Sequence, residues 1–384
     1  MAIEGELIVR LGRLGHGVRE VSIRSTRPMV AARLLTGKTA KDAAALVPKL
    51  FSICGGAQGA AANGALVAAG ATGLVTDAAG RDREVMLESL QDAFWHLLLD
   101  WPNAMGSASC TTAVAAARAL IAASMGVADR TPRLDDAMAM RELGTDLAAI
   151  SEQAIFAMAP AAWLELADVE ALRAWCARGE TIPAVLLGNV LADRPMLGRS
   201  AIPLMPVPHP DALLRVIVPA LRADPAFSRA PTWAGAPVET GALARMRNEP
   251  LVVALQVTFG NAAVTRIVAR MAELARLTLE LSGTEGRTEL PMRIRSMPLE
   301  DGEGLAAVET ARGLLLHRAR VRDECVIDYQ IVAPTEWNFH PDGALVRGLE
   351  GLEAEDESQL IRAAGLAVHT LDPCVACRVE AGHA

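Results

Sequence analysis

The sequence Asp372-Pro373-Cys374-Val375-Ala376-Cys377 sets two thiols three positions apart near the end of a 384-residue chain. Two thiols at that spacing can converge on one soft metal ion. The spacing also fits half of a zinc site, although no second CxxC occurs in the chain. It fits a redox dithiol, although those open a helix near the start of a thioredoxin-like unit. It fits two ordinary buried thiols as well. A helix is expected over about 357–369, leading into Asp372.

Upstream of this motif, Glu309-Thr310-Ala311-Arg312-Gly313-Leu314-Leu315-Leu316-His317 runs into a second hairpin, expected over 312–320 and 325–332 with its turn at Arg322-Asp323-Glu324. Val332-Ala333-Pro334-Thr335-Glu336-Trp337-Asn338 follows. Composition alone places an Arg, a His and a Thr near strand ends. A surface arginine and a hairpin-packing histidine are the plain alternatives. At the other end of the chain, Phe51-Ser52-Ile53-Cys54-Gly55-Gly56-Ala57 sets one cysteine beside two glycines. By itself that is a small residue in a tight turn.

Between these ends the pattern is helical. Residues 33–50, 84–100, 108–124, 136–176 and 262–281 have helical periodicity. Residues 6–11 and 18–24 read as a hairpin around Gly12, Gly15 and Gly17, and the five prolines of 194–212 mark a long connection. Hydrophobic residues make up 52% of the chain, which excludes a disordered protein, and only 3% are aromatic. Alanine carries much of the apolar content and favours closely packed helices. The expected fold is therefore mainly α with small β-hairpins, an α+β class, in a single domain over 1–384. Its parts are an N-terminal hairpin and cysteine motif (1–60), a helical middle (61–300) and a C-terminal hairpin with CxxC (305–384).

The net charge of −8 comes without a basic stripe, so no nucleic-acid partner is expected. The uncharged run from Leu50 to Thr76 is long enough to span a bilayer, but it is mostly Gly and Ala with Gln58 and Asn63 inside. It reads as a buried helix, and no membrane insertion is expected. Six cysteines behind a start that has no basic region or apolar core point to a reducing cytoplasm.

Taken in order, these motifs resemble the large subunit of nickel–iron hydrogenases, and the resemblance implies a large-subunit-like helical bundle. The family's Arg-Ile-Glu-Gly-His strand is similar to Ala2-Ile3-Glu4-Gly5-Glu6. Its Arg-x-Cys-Gly-x-Cys is similar to Ser52-Ile53-Cys54-Gly55-Gly56-Ala57. Its Ala-Pro-Arg-Gly-x-Leu-x-His and Val-x-Pro-Thr-Thr-Trp-Asn resemble Thr310–His317 and Val332–Asn338. Its closing Asp-Pro-Cys-x-x-Cys-x-x-His matches Asp372 to Cys377, with Glu380 in place of the His. The likeness is good over about the first 60 and last 80 residues and general over the middle.

In that family the first cysteine of each pair binds nickel alone. The second bridges nickel to an iron carrying cyanide and carbon monoxide. The resemblance implies metal positions at Cys54, Cys374 and Cys377, with Ala57 standing where a bridging thiolate is lost. It places Arg312 and Thr335 around the iron's cyanide ligands, and Asp372 beside Arg312. Glu4 falls at the proton-transfer position, kept as a vestige. Ser52 replaces the motif arginine, and Ala61 stands where a histidine is usual. The chain stops four residues after Glu380, where catalytic large subunits carry a cleavable extension. Cys110, Cys176 and Cys325 fit no motif and read as buried or incidental thiols.

An alanine methyl coordinates no metal, so a stable binuclear site is not expected, and nickel is not expected to bind. The pattern is similar to the accessory homologues of the large subunit, the HupK and HoxV group. It implies a non-catalytic scaffold for hydrogenase maturation that transiently carries an iron–cyanide–carbonyl fragment. The implied partners are maturation chaperones, iron–cyanide assembly proteins and the immature large subunit. Two alternatives stand beside this reading. One is a metal-free module that engages maturation factors, its cysteines relics. The other is a divergent hydrogenase that retains Glu4, Arg312 and Asp372. For Cys54 and Cys374 to share a pocket, the two ends of the chain must meet, and the helical bundle is expected to hold them there.

Overall fold

The structure is a computed structural model that describes residues 5–26, 30–51, 53–74, 76–125, 136–284 and 292–383. Glu4 and Ser52 lie outside the described residues.

The chain ends do meet, and a small sheet joins them. Strands β1 (Glu6–Leu14) and β2 (Gly17–Ser25) form the expected hairpin. A further strand, β7 (Ala376–His383), lies parallel to β1, giving the order β2-β1-β7. The sequence pattern does not predict this strand. Its apolar face is Cys377, Val379 and Ala381, which pack on the main core, while Arg378 and Glu380 alternate with them. The second cysteine of the motif is thus built into a strand, in register with Leu7.

The second sheet is larger than the expected hairpin. Strands β3 (Ile294–Pro298), β4 (Glu303–Thr310), β5 (Gly313–Arg322) and β6 (Cys325–Val332) run antiparallel in that order. The β5–β6 turn falls at Asp323 and Glu324, both left-handed at φ 49° and 60°. That is the turn whose twist suits a two-residue hairpin. Strand β4 carries no alternation because both of its faces are covered. Leu305 and Ala307 face one apolar cluster, while Ala306 and Val308 join two others.

The Gly/Ala run forms the helix Gly55–Ala68, wedged between this sheet and its neighbours. Small residues are what make the wedge possible. A Cβ at Gly55 would come within 2.9 Å of the Pro48 carbonyl, on the preceding helix Ala40–Leu50. A Cβ at Gly304 in β4 would overlap the Ala65 carbonyl and the Ala69 amide. No helix among the described residues is long and apolar enough to cross a membrane.

Two expected helices are broken. The 33–50 segment divides at Gly37, which has φ 83°, and restarts at Ala40 behind the cap of Thr39. The 136–176 segment does not run through as its period suggests. It forms Ala137–Ser151, widens into a π-turn at Glu152–Phe156, and stops at Ala157, left-handed at φ 55°. Pro160 then opens a single turn, and Asp168 caps Val169–Arg178 by accepting from the Ala171 amide at 2.8 Å. Pro160 and Asp168 are the break signals in the sequence.

The helix Ala263–Ser282 runs through the core and is buried over most of its length, although it carries Arg266, Arg270 and Glu273. Helix Ala78–Trp95 packs against both Gly55–Ala68 and Thr111–Ser124. The start of Gly55–Ala68, the end of Ala78–Trp95, the β4–β5 turn and the loop after helix Glu357–Thr370 carry residues of the site.

Candidate metal centre

Arg312 sits at the tip of the tight turn between β4 and β5. Thr310 and Gly313 pair across that turn, and Gly313 has φ 125°. A side chain at Gly313 would collide with Thr240, so only glycine fits there. The Thr310 hydroxyl donates to the Gly313 carbonyl at 2.9 Å and accepts from the Arg312 amide at 3.2 Å. Arg270 donates to the Ala311 carbonyl at 2.8 Å. Arg312 is thereby aimed into the protein and is 6% exposed.

Asp372 approaches from the other side. Helix Glu357–Thr370 ends at Leu371, and Asp372 turns the chain with φ 56°, a left-handed conformation that Asp tolerates better than most residues. Its carboxylate is the hub of a buried ion network. Asp372 Oδ2 accepts from Arg270 at 2.7 Å. Its Oδ1 lies 3.1 Å from Arg312 Nε and 2.9 Å from His96 Nε2. Arg312 also donates to Asp92 Oδ1 at 2.8 Å. His96 Nδ1 lies 3.0 Å from Asp100, which is 3.1 Å from His369 Nδ1.

The charges set each other. Burial opposes ionisation of Asp372, but Arg312, His96 and Arg270 hold its carboxyl far below the usual carboxylate range. Burial likewise opposes a charge on His96, yet Asp372 and Asp92 hold the imidazole well above its ordinary value. Arg312 is held more strongly protonated than a free guanidinium by Asp372 and Asp92, with Cys54 and Cys374 also contributing. Both cysteines therefore lie within electrostatic reach of this one guanidinium.

Among the described residues, Asp92, His96 and Asp372 offer three ligand atoms within 4.8 Å of one another. They do not make a cation site, because Arg312 and Arg270 already pair with the carboxylates and His96 is held protonated. Even so, Arg312 Nε, Asp372 Oδ1, Asp92 Oδ2 and His96 Nε2 are buried without a well-aligned hydrogen bond. Polar atoms in that condition cost stability unless something else engages them.

Cys374 follows in the same loop. Thr335, on the short helix Pro334–Asn338, donates from its hydroxyl to Cys374 Sγ at 3.0 Å and accepts from the Cys374 amide at 3.1 Å. Asn338 ties this helix to the Leu371 carbonyl at 3.3 Å and to the Thr240 amide at 2.9 Å. Cys54 is half-buried at the N-cap of Gly55–Ala68 and makes no capping hydrogen bond there. Cys377 lies in β7, in register with Leu7. Burial, with Glu6 nearby, pushes its thiol up to about 12.

The positions that depart from the family pattern are absorbed into ordinary structure. Ala57 and Ala61 are fully buried in an apolar cluster with Ala60, Val85, Val308 and Leu315. Glu380 lies on the exposed side of β7, where Arg10 donates to it at 3.0 Å. His317 is a packing residue. It sits between Tyr329 (2.7 Å) and Gln58 (2.9 Å), and burial drops its pKa to about 3. Cys176 is buried, its thiol pushed up to about 11, while Cys110 and Cys325 are partly buried.

Three residues of the site, Asp92, His96 and Arg270, fall in none of the sequence motifs, and neither does Glu88. Glu88, Asp92 and His96 share one face of the helix Ala78–Trp95 and its continuation at four-residue spacing, which is a legible signal. Arg270 shares a buried helical face with Arg266 and Glu273, a run of charges at i−4 and i+3 in a largely apolar helix.

A sheet that joins the chain ends, a helical core and paired cysteine loops around a buried arginine define a nickel–iron hydrogenase large-subunit type of protein. Solved NiFeSe hydrogenases share the fold. For the enzyme from D. vulgaris Hildenborough in the reduced state, the TM-score is 0.59 at 17% identity, over 94% of each chain. Residues 277–380 match the family profile described as nickel-dependent hydrogenase. The hydrogenase expression/formation protein HoxV of Cupriavidus necator is 32% identical over 99% of this chain and 96% of its own. HupK of Azotobacter vinelandii is 32% identical over 97% of each. The chain belongs to this HoxV/HupK family of hydrogenase expression/formation proteins.

Proposed function

We propose that this protein is a non-catalytic accessory factor in nickel–iron hydrogenase maturation, with an iron–cyanide–carbonyl fragment as its transient cargo. The names of the relatives, expression/formation proteins, support the accessory role. The observation that carries the cargo reading is the split condition of the site. Ala57, where a bridging thiolate is lost, is sealed in an apolar cluster. Cys374 with Thr335, and Arg312 with Asp372, keep their mutual contacts.

The donor set suits such a cargo. Cys54 and Cys374 are soft ligands for iron. Arg312 Nε is a buried donor without an aligned partner, and the Thr335 hydroxyl lies against Cys374. A cyanide nitrogen is an electron-rich acceptor that a guanidinium and a hydroxyl can both engage. The reading leaves nickel out, since one thiolate of four is missing. A site that lacks a ligand holds iron less firmly, which suits a carrier. Partners in this scheme are maturation chaperones, the proteins that build the iron–cyanide group and the immature large subunit, all in the cytoplasm.

The test is infrared spectroscopy of protein purified without oxygen from cells that make hydrogenase. Cyanide and carbon monoxide stretching bands that vanish in Cys374→Ser are the expected result. Absence of bands together with absence of iron by elemental analysis would replace the carrier with a metal-free interaction module. Hydrogen oxidation by the natural protein would establish a divergent enzyme.

A further inference from the structure

We infer that Glu88 is a further ligand of this site, its carboxylate oxygen taking the place of the thiolate missing at position 57. The inference rests on the cargo reading above and adds a residue to it.

Glu88 reaches across from helix Ala78–Trp95 to the start of helix Gly55–Ala68. Its Oε2 accepts from the Ala57 amide at 3.2 Å, so the carboxylate lies against the residue that lacks the thiol. Gly56 leaves room for it, since a Cβ there would come within 2.6 Å of Glu88 Oε2. One turn earlier on the same helix, Glu84 borders the same glycine, 3.3 Å from that Cβ position.

The surroundings leave the charge of Glu88 poorly matched. Its neighbours on the same helix face are taken, Asp92 by Arg312 and His96 by Asp372 and Asp100. Among the described residues, Glu88 forms no ion pair. Its hydrogen bonds come from the backbone at Gly56 and Ala57. Burial therefore pushes its pKa up to about 7, against those amides and the more distant Arg312. The same Arg312 senses Cys54 and Cys374, and its Nε is buried without an aligned partner. Arg312 thus lies within electrostatic reach of the Glu88 carboxylate and of both thiols.

The chemistry follows from the donor types. A ligating carboxylate commonly has its second oxygen hydrogen-bonded, which orients the first. The Ala57 amide holds Oε2 in that way, and Oε1 is the oxygen proposed to ligate the metal. A carboxylate is a harder ligand than a thiolate and binds iron less tightly than a cysteine would. A sulfur-and-oxygen set holds divalent iron and still releases it, as transfer requires.

The probe is cobalt(II), a coloured stand-in for divalent iron, titrated into the full-length protein without oxygen. Wild type is expected to show thiolate-to-cobalt charge-transfer bands that are lost in Cys374→Ser. Glu88→Gln keeps an acceptor for the Ala57 amide but loses the anionic ligand. It is expected to weaken cobalt binding about ten-fold or more, with charge-transfer intensity per bound cobalt preserved. Ala57→Cys in the Glu88→Gln background is expected to restore affinity and add charge-transfer intensity. Should Glu88→Gln not fold, Glu88→Asp, which draws the carboxylate back by one methylene, carries the same expectation. Wild-type affinity in these Glu88 variants, with charge transfer still lost in Cys374→Ser, would make Glu88 a helix cap only and leave the carrier reading standing. Absence of thiolate charge transfer in wild type would overturn both.

Discussion

Replacing Asp372 by Asn removes the charge at the hub of the buried network and little else. Asn adopts the left-handed backbone that φ 56° demands, so the turn survives. Three cations lose their shared partner. Arg270 loses a 2.7 Å contact, His96 one at 2.9 Å and Arg312 one at 3.1 Å. Breaking a buried pair by removing one charge costs about 3–5 kcal/mol. The lower end, about 3 kcal/mol, is expected here because the amide still accepts from Arg270. Arg312 also retains Asp92, and His96 retains Asp100.

The pH dependence has a definite sign. The pKa of Asp372 is lowered from 3.8 in the folded chain, so its contribution is present above that value and is lost as pH falls below it. The pKa of His96 is raised above 6.5, so its contribution is full below 6.5 and is lost as pH rises through the folded value. The gap between wild type and variant should therefore be widest between those two values and narrow at higher pH. Urea unfolding followed by tryptophan fluorescence measures it, and Trp101, stacked on His96 at 5.7 Å, provides a local reporter. A gap under about 1 kcal/mol near pH 5.5, or one that widens toward alkaline pH, would refute the hub.

Other perturbations probe the walls of the site. Thr335→Val leaves the buried Cys374 amide without its 3.1 Å acceptor and should cost about 1–3 kcal/mol in urea unfolding. Gly304→Ala drives a methyl into the backbone of helix Gly55–Ala68 and should cost about 1–3 kcal/mol, read as a lowered thermal midpoint. His317 stays neutral in the folded chain down to about pH 3 but protonates near 6.5 when unfolded. Wild type should therefore lose stability relative to His317→Gln as pH falls below 6.5, at up to about 1.4 kcal/mol per unit. Glu88 works in the opposite direction. Its folded pKa of about 7 exceeds the unfolded value of 4.5, so wild type should lose stability relative to Glu88→Gln as pH rises from 4.5 to 7. The total is about 3 kcal/mol at most, and a flat difference across that range would contradict the buried carboxylate.

Much of this fold is legible in the amino-acid sequence. The Gly/Ala run predicts a helix that meets other backbones, and Gly55, Gly59 and Gly64 are positions where a side chain would meet close neighbours. Asp323 and Glu324 form the hairpin turn that the strand patterns on either side of them predict. The order of the cysteine, arginine, threonine and Asp-Pro-Cys motifs points to the large-subunit fold. The long segment from 136 to 176 misleads because its period persists through Pro160 and Asp168, which break it.

Only local features can be read along the chain: helical period, turn residues and the types of side chain near each end. Packing sets where those side chains meet. Strand β4 is hidden because a strand covered on both faces has no alternation to read. Strand β7 is hidden behind its own cysteine, although Cys377, Val379 and Ala381 alternate. The network of Asp92, His96, Arg270, Arg312 and Asp372 joins four elements spread over 280 residues. The four-residue spacing of Asp92 and His96 puts them on one helix face, but no spacing joins them to Arg270, Arg312 and Asp372, because burial and charge pairing act through space. The same reason conceals Glu88. Its sequence neighbours mark an ordinary helix, and only the packing of that helix against Gly56 sets its carboxylate beside Ala57.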